Sequence, residues 1–146
     1  MSVWRKAAVV VASVAALTSL GSAAANAERG PDGRLYGAIA VSTLNNDDSW
    51  GAAWNYPNQG EANGGALDEC GRSCKVLVEF NEGCGSVAQS EDGARFYGGY
   101  GSTPAAAEQM ALTSLAGIKP QLPFPFTGSS QPERGTILVT KCTDGY

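Results

Sequence analysis

The chain has 146 residues, with 10 basic and 14 acidic side chains, four cysteines and no histidine. Without imidazole there is no Ser-His-Asp or Cys-His catalysis, no His-ligated zinc and no histidine pH switch; acid–base work would fall to carboxylates, lysine or tyrosine. An acidic balance with no basic run also speaks against nucleic acid and against anionic membrane surfaces as partners.

Arg5 and Lys6 precede the apolar run Ala7–Leu20, and Ala25-Asn26-Ala27 is a small-x-small cleavage site. Residues 1–27 therefore read as a signal peptide, too short and alanine-rich in its apolar part for a comfortable span. Cleavage would leave Glu28–Tyr146, with eight basic against fourteen acidic residues and a net charge of −6. That length fits one domain, expected over 36–146 after a loose leader at 28–35. The expected location is extracellular or associated with the cell envelope. Cys70, Cys74, Cys84 and Cys142 all lie in the exported part and read as two disulfides. Their spacing lacks the two close pairs of a zinc knuckle.

Tyr36–Ser42 (YGAIAVS) reads as a strand buried on at least one face. Asn45-Asn46-Asp47-Asp48 is a turn composition, without the spacing or distal glutamate of a calcium loop. Trp50–Tyr56 is a second strand, so the two form a hairpin. After Pro57, Asn58 and Glu61 stand as a capping box. Ala62, Ala66, Leu67 and Cys70 then share one helical face, and Gly71 stops the helix. Gly64 and Gly65 weaken this helix or allow close approach to a sheet. Lys75–Phe80 is the third strand.

The unit then recurs. Cys84–Ser90 matches Tyr36–Ser42 at an offset of 48, with Gly, Ala and Ser identical. Asp92-Gly93 signals a hairpin turn, and Phe96–Tyr100 parallels Trp50–Trp54. Thr103-Pro104 starts a helix whose face Ala107, Ala111, Leu112 and Leu115 repeats that of Ala62, Ala66, Leu67 and Cys70, and Gly117 ends it. Thr136–Lys141 parallels Lys75–Phe80. The expected fold is α+β: two strand–strand–helix–strand repeats (36–83 and 84–142) in one disulfide-bonded domain with antiparallel-type sheet and two helices. The copies differ at residues 118–134, a proline-rich insertion with Pro120, Pro123, Pro125 and Pro132 that reads as a loop; Phe124 and Phe126 either pin it or form a ligand segment. Three cysteine pairings are possible. Because Cys70 corresponds to Leu115 and the Cys70–Cys74 turn has no counterpart, Cys70–Cys74 and Cys84–Cys142 is the preferred set.

YGAIAVS, WNYP before an alanine-rich helix, ALDECGRSCKVLVEF and the later CGSVA resemble domain of unknown function 4189, a family of small exported bacterial domains. The four-cysteine layout is most similar to that of mycobacterial and other actinobacterial members. The resemblance covers about Tyr36–Cys142. It departs at the proline-rich insertion, where such relatives have a short glycine-rich turn. It implies export and fold; it implies no activity and no catalytic residues.

Trp50, Trp54, Tyr56, Tyr97 and Tyr100, with Phe96, come from equivalent hairpins. Flat aromatic faces stack on sugars or anchor protein partners, and strict alternation would put Trp50, Trp54 and Tyr56 on one face. The alternative is that this face packs against the helices. Asp68, Glu69, Glu79, Glu82, Glu91 and Asp92 are the credible acid–base groups, but they are scattered, whereas a glycosidase needs a facing pair. The expectation is a monomeric, non-enzymatic binding module without cofactor or metal, whose partner is cell-wall carbohydrate or another protein. The alternatives are a carboxylate-dependent cell-wall hydrolase and a structural envelope stress protein.

Overall fold

A computed structural model of the chain describes residues 29–45, 47–117 and 134–146. The signal peptide expected over 1–27 and the insertion residues 118–133 lie outside the described residues. The elements are Tyr36–Ser42 (β1), Trp50–Tyr56 (β2), Gln59–Cys70 (α1), Cys74–Asn81 (β3), Cys84–Ser90 (β4), Phe96–Gly101 (β5), Pro104–Leu115 (α2) and Gly135–Cys142 (β6).

Each helix begins where its cap residue dictates. Asn58 accepts from the Glu61 N–H at 2.9 Å and donates its side-chain amide to Glu61 Oε1 at 2.8 Å. Thr103 accepts from the Ala106 N–H at 3.2 Å, with Pro104 in the first turn. Such caps are worth about 1 kcal/mol each. Gly71 and Gly117, both at positive φ, follow the helix ends, where glycine leaves the helix without steric cost. Of the two glycines inside α1, only Gly65 lies against the sheet: a Cβ there would meet Tyr56 Oη at 2.9 Å and Ala53 Cβ at 3.0 Å, whereas Gly64 faces open space.

The strands form two antiparallel three-stranded sheets, ordered β2-β1-β3 and β5-β4-β6. The sheets pack face to face, and one helix covers the outer face of each. Alternation along the central strands places the residues. Ile39 and Val41 of β1 and Val87 of β4 point between the sheets, into a core shared with Ala52, Val78, Phe80 and Val139. Ala38 and Ala40 point the other way, toward Ala62 and Ala66 of α1, and Ala88 points toward Ala111 and Leu115 of α2. Both central strands are thus buried on two faces, and the small helix-side residues let each helix lie close.

The two halves repeat in detail. Both outer pairings carry a register shift at the same place, between Ile39 and Ala40 and between Val87 and Ala88. The extra residues are Leu77 in β3 and Leu138 in β6, and both pack on the inter-sheet core. Ser42 and Ser90 close the hairpins by binding turn carboxylates, Asp47 at 2.7 Å and Asp92 at 2.6 Å.

Near the pseudo-twofold axis the repeat breaks. Gly37 of β1 and Gly85 of β4 both present a bare face to the inter-sheet space, and the Phe80 ring fills it: Cβ atoms on these glycines would lie 2.2 Å and 2.4 Å from the ring. Gly37 pairs with Phe80, and Gly85 pairs with Lys141. Lys141 is therefore the equivalent of Phe80. The two rows cannot both fill one central space, and Lys141 instead extends its ammonium over the Trp54 ring, 4.4 Å from the centroid.

The cysteines form Cys70–Cys74 and Cys84–Cys142 bonds. Cys84 and Cys142 are register partners at the end of β4 and β6. In the second half, the place of Cys70–Cys74 is taken by Leu115 against Gly135, where a Cβ would come within 2.5 Å of Leu115 Cδ1.

Two stability experiments follow from this core. Truncating Phe80 to Ala should cost about 3–5 kcal/mol, and truncating the equivalent Lys141 less than about 1 kcal/mol; similar denaturation midpoints for the two variants would remove the wedge role of Phe80. Replacing the Cys84/Cys142 pair by serine should cost about 4 kcal/mol and replacing Cys70/Cys74 about 2, from the loop lengths each bond closes. Equal melting-temperature losses would contradict that order.

Candidate binding surface

The aromatic side chains do not form the single face that strict alternation predicts. Asn55 adopts a positive φ of 66°, a conformation Asn tolerates better than most residues. The β1–β2 register accordingly shifts between Ala38↔Ala53 and Tyr36↔Tyr56. This bulge holds two residues, Trp54 and Asn55, opposite Gly37 alone, and the side chain beyond it changes face. The Asn55 side chain is held from the far terminus, since Asp144 N–H donates to Asn55 Oδ1 at 2.8 Å. The consequence corrects the expected platform: Trp50 packs on the inter-sheet core, and Tyr56 packs on the helix side with Ala53 and Ala66.

In the second half, Tyr97 packs on the helix side beside Ala88 and Leu115. Trp54 and Tyr100 remain at the surface, 36% and 64% exposed, at equivalent positions of the two hairpins. Trp54 is covered by Lys141, a partner that repeat alignment alone would have flagged only as the counterpart of Phe80. Among the described residues none covers Tyr100 in this way, and it stands over an open cleft of about 460 Å³ lined by Glu79, Phe80, Asn81, Glu82 and Ser102.

The polar groups of this cleft divide into fixed and presented. Glu82 Oε1 accepts from the Leu35 N–H and from Arg29 Nη1, each at 2.9 Å. The Leu35 N–H, with the Arg29 charge as a smaller influence, holds the carboxyl below its ordinary range against the opposing effect of desolvation. Glu82 thus fastens the leading segment to the β3–β4 connection, as Thr143 does in the other half by accepting from the Gly83 N–H at 2.9 Å. Glu79 Oε1 accepts from Asn63 Nδ2 at 2.6 Å. Asn81 is exposed at the end of β3.

Asp32, Asp47 and Asp92 are also held below the usual carboxylate range, chiefly by the hydroxyls of Tyr36, Ser49 and Ser90 respectively. A lowered pKa is the opposite of what a general acid at neutral pH needs. Among the described residues no group of three Cys, Asp or Glu side chains is placed to hold a metal ion, and no helix is long and apolar enough to cross a membrane.

A family model described as "Domain of unknown function (DUF4189)" matches residues 36–120, from β1 to just beyond α2. The chain belongs to the DUF4189 family. It is 45% identical over 84 residues to the protein Rv1269c of Mycobacterium tuberculosis, which covers 57% of this chain and 63% of that protein. It is 39% identical over 83 residues to the uncharacterized protein Rv1813c of the same organism, covering 56% of this chain and 54% of the relative. The matched stretch is therefore less than two thirds of each relative's length. The NMR structure of Rv1813c aligns with a TM-score of 0.52 at 26% identity, over 97% of this chain and 99% of that one. The fold is thus shared with Rv1813c.

The lowered carboxylates make a sign-definite prediction. A depressed carboxyl stabilises the fold above its unfolded pKa and loses that contribution as pH falls through its folded value. Unfolding free energy should therefore decline from about pH 5 toward pH 2, and Glu82→Gln should flatten that decline. Urea titrations across this range check it; an unchanged slope in Glu82→Gln would mean that the Glu82 contacts do not bear on folding.

Proposed function

We propose that this chain is an exported, non-enzymatic binding module that engages a carbohydrate of the cell envelope through Tyr100. The observation that carries this reading is a solvent-facing Tyr100, 64% exposed, over an open cleft whose rim offers the Asn81 amide and the Ser102 hydroxyl. An aromatic face beside neutral hydrogen-bonding groups matches a sugar ring, with its apolar C–H face and polar edge. Export is supported by the charged, apolar and small-x-small order of residues 1–27 and by two disulfides, which persist in oxidising compartments. Glu82, a carboxyl of the cleft held below its ordinary range, is poorly suited to act as a general acid there.

The test is co-sedimentation of the oxidised Glu28–Tyr146 chain with purified insoluble cell-wall glycan. Retention should fall roughly tenfold in Tyr100→Ala, the loss of one stacking contact, and change little in Trp54→Ala. Absence of retention, or retention indifferent to Tyr100, would remove the reading. Release of soluble sugar during incubation would overturn its non-enzymatic part.

A further inference from the structure

The two halves treat their surface aromatic residues differently. Trp54 and Tyr100 occupy equivalent positions, and the fold itself places a cation on the first: the Lys141 ammonium lies 4.4 Å from the Trp54 centroid. At the place equivalent to Lys141 the first half carries Phe80, which is committed to the inter-sheet core. Among the described residues no cation lies over Tyr100, and no basic residue lines its cleft. The cleft instead carries two carboxylates, Glu79 and Glu82. An aromatic face with an acidic group beside it complements an ammonium, which the ring attracts through its quadrupole and the carboxylate through its charge.

The two carboxylates are not alike. Glu82 is matched by Arg29 at 2.9 Å and serves the leading segment. Glu79 accepts from a neutral amide, Asn63 Nδ2 at 2.6 Å, and among the described residues no cation pairs with it. The duplication shows that folding does not require this charge on β3. Ala38 pairs with Glu79 and Ser86 with Thr140, so Thr140 is the equivalent of Glu79, and Glu108 of α2 is the equivalent of Asn63. There Thr140 Oγ1 donates to Glu108 Oε1 at 2.9 Å. Both halves thus tie helix to outer strand by a hydrogen bond at the same place. The carboxylate stands on the helix in the second half and on the strand in the first. Either arrangement serves the tie, but only the strand position puts a negative charge at the rim of the Tyr100 cleft.

We propose that the Tyr100 cleft takes an amino sugar, a hexosamine unit whose nitrogen is a free ammonium rather than an acetamide. The ammonium lies against Tyr100 and pairs with Glu79, as Lys141 lies against Trp54, and the sugar hydroxyls meet the Asn81 amide and the Ser102 hydroxyl. This deepens the reading of Tyr100 as a carbohydrate contact and rests on it. A neutral sugar would take the Glu79 carboxylate out of water without a charged partner, and an acidic sugar would meet like charges.

The experiment is an NMR titration of the ¹⁵N-labelled, oxidised Glu28–Tyr146 chain with glucosamine disaccharide, its diacetylated form and butylamine in parallel, at a pH where the amines are protonated. The free-amine disaccharide should give saturable shifts confined to the amides of Glu79–Gly83 and Tyr100–Ser102, with an affinity about tenfold above that of either other probe. Glu79→Gln should reduce the preference for the free amine over the acetylated sugar about tenfold, as losing a charge-assisted contact does. Tyr100→Leu, at an exposed position, should weaken binding of the free-amine disaccharide by a similar factor. Unchanged amide spectra away from the cleft would show that both variants fold. Equal affinity for the diacetylated form overturns the ammonium inference and leaves the carbohydrate reading standing. Equal affinity for butylamine overturns the carbohydrate reading, and the amino-sugar proposal with it. Absence of shifts from all three probes overturns both. A preference unchanged in folded Glu79→Gln, or an affinity unchanged in folded Tyr100→Leu, overturns the inference.

Discussion

The interaction on which the rest of the structure depends is the Phe80 ring between Gly37 and Gly85. Two sheets packed face to face lie about 10 Å apart, and side chains must fill that gap. Both central strands carry glycine at the same place, so neither sheet fills it from its middle. A single aromatic ring from β3 does so for both. A duplicated unit offers two candidates for one central space, and the second must go elsewhere. That the second is lysine rather than another phenylalanine lets it turn aside: its stem can leave the core while its charge lies over Trp54.

This local break of symmetry propagates. Lys141 over Trp54 and Asp144 against the Asn55 bulge close the side where β6 meets β2. The side where β3 meets β5 keeps the Tyr100 cleft open at one end, with Gly98 against Val78 pinching the sheets together beyond it. The Tyr100 cleft therefore lies where the halves diverge, whereas the bulges at Leu77 and Leu138, the closed hairpins and the alanine-faced helices are what they share.

Much of this was legible in the chain. The strand and helix limits follow from apolar alternation, from Asn58 and Thr103 as caps and from Gly71 and Gly117 as stops, because these signals act within one turn or one hairpin. The offsets of 48 and 45 between copies foretold the matched packing of Ala62 and Ala66 with Ala107 and Ala111. The division into two sheets was not legible, since alternation says that a strand has two faces without saying what covers them. Nor was the placement of the aromatics. One positive φ at Asn55 moves Tyr56 to the helix side, and its support comes from Asp144, 89 residues away. Lys141 over Trp54 is likewise a contact between sheets, invisible to any local pattern.

The cysteines obey the same logic of shared frame and local divergence. In the first half, three residues join α1 to β3; in the second, nineteen join α2 to β6. Closing the longer connection costs about 1.5 kcal/mol more in chain entropy, and it falls on β6, the strand that must pair with β4 to complete its sheet. The first half pairs Tyr36 with Asn81 at the equivalent position. The second half ties that position covalently through Cys84 and Cys142, a constraint worth about 4 kcal/mol on the unfolded chain. The bond is thus placed on the strand pair that the insertion weakens most. Cys70–Cys74, by contrast, secures a connection that is already short, and the second half dispenses with it by seating Leu115 on Gly135.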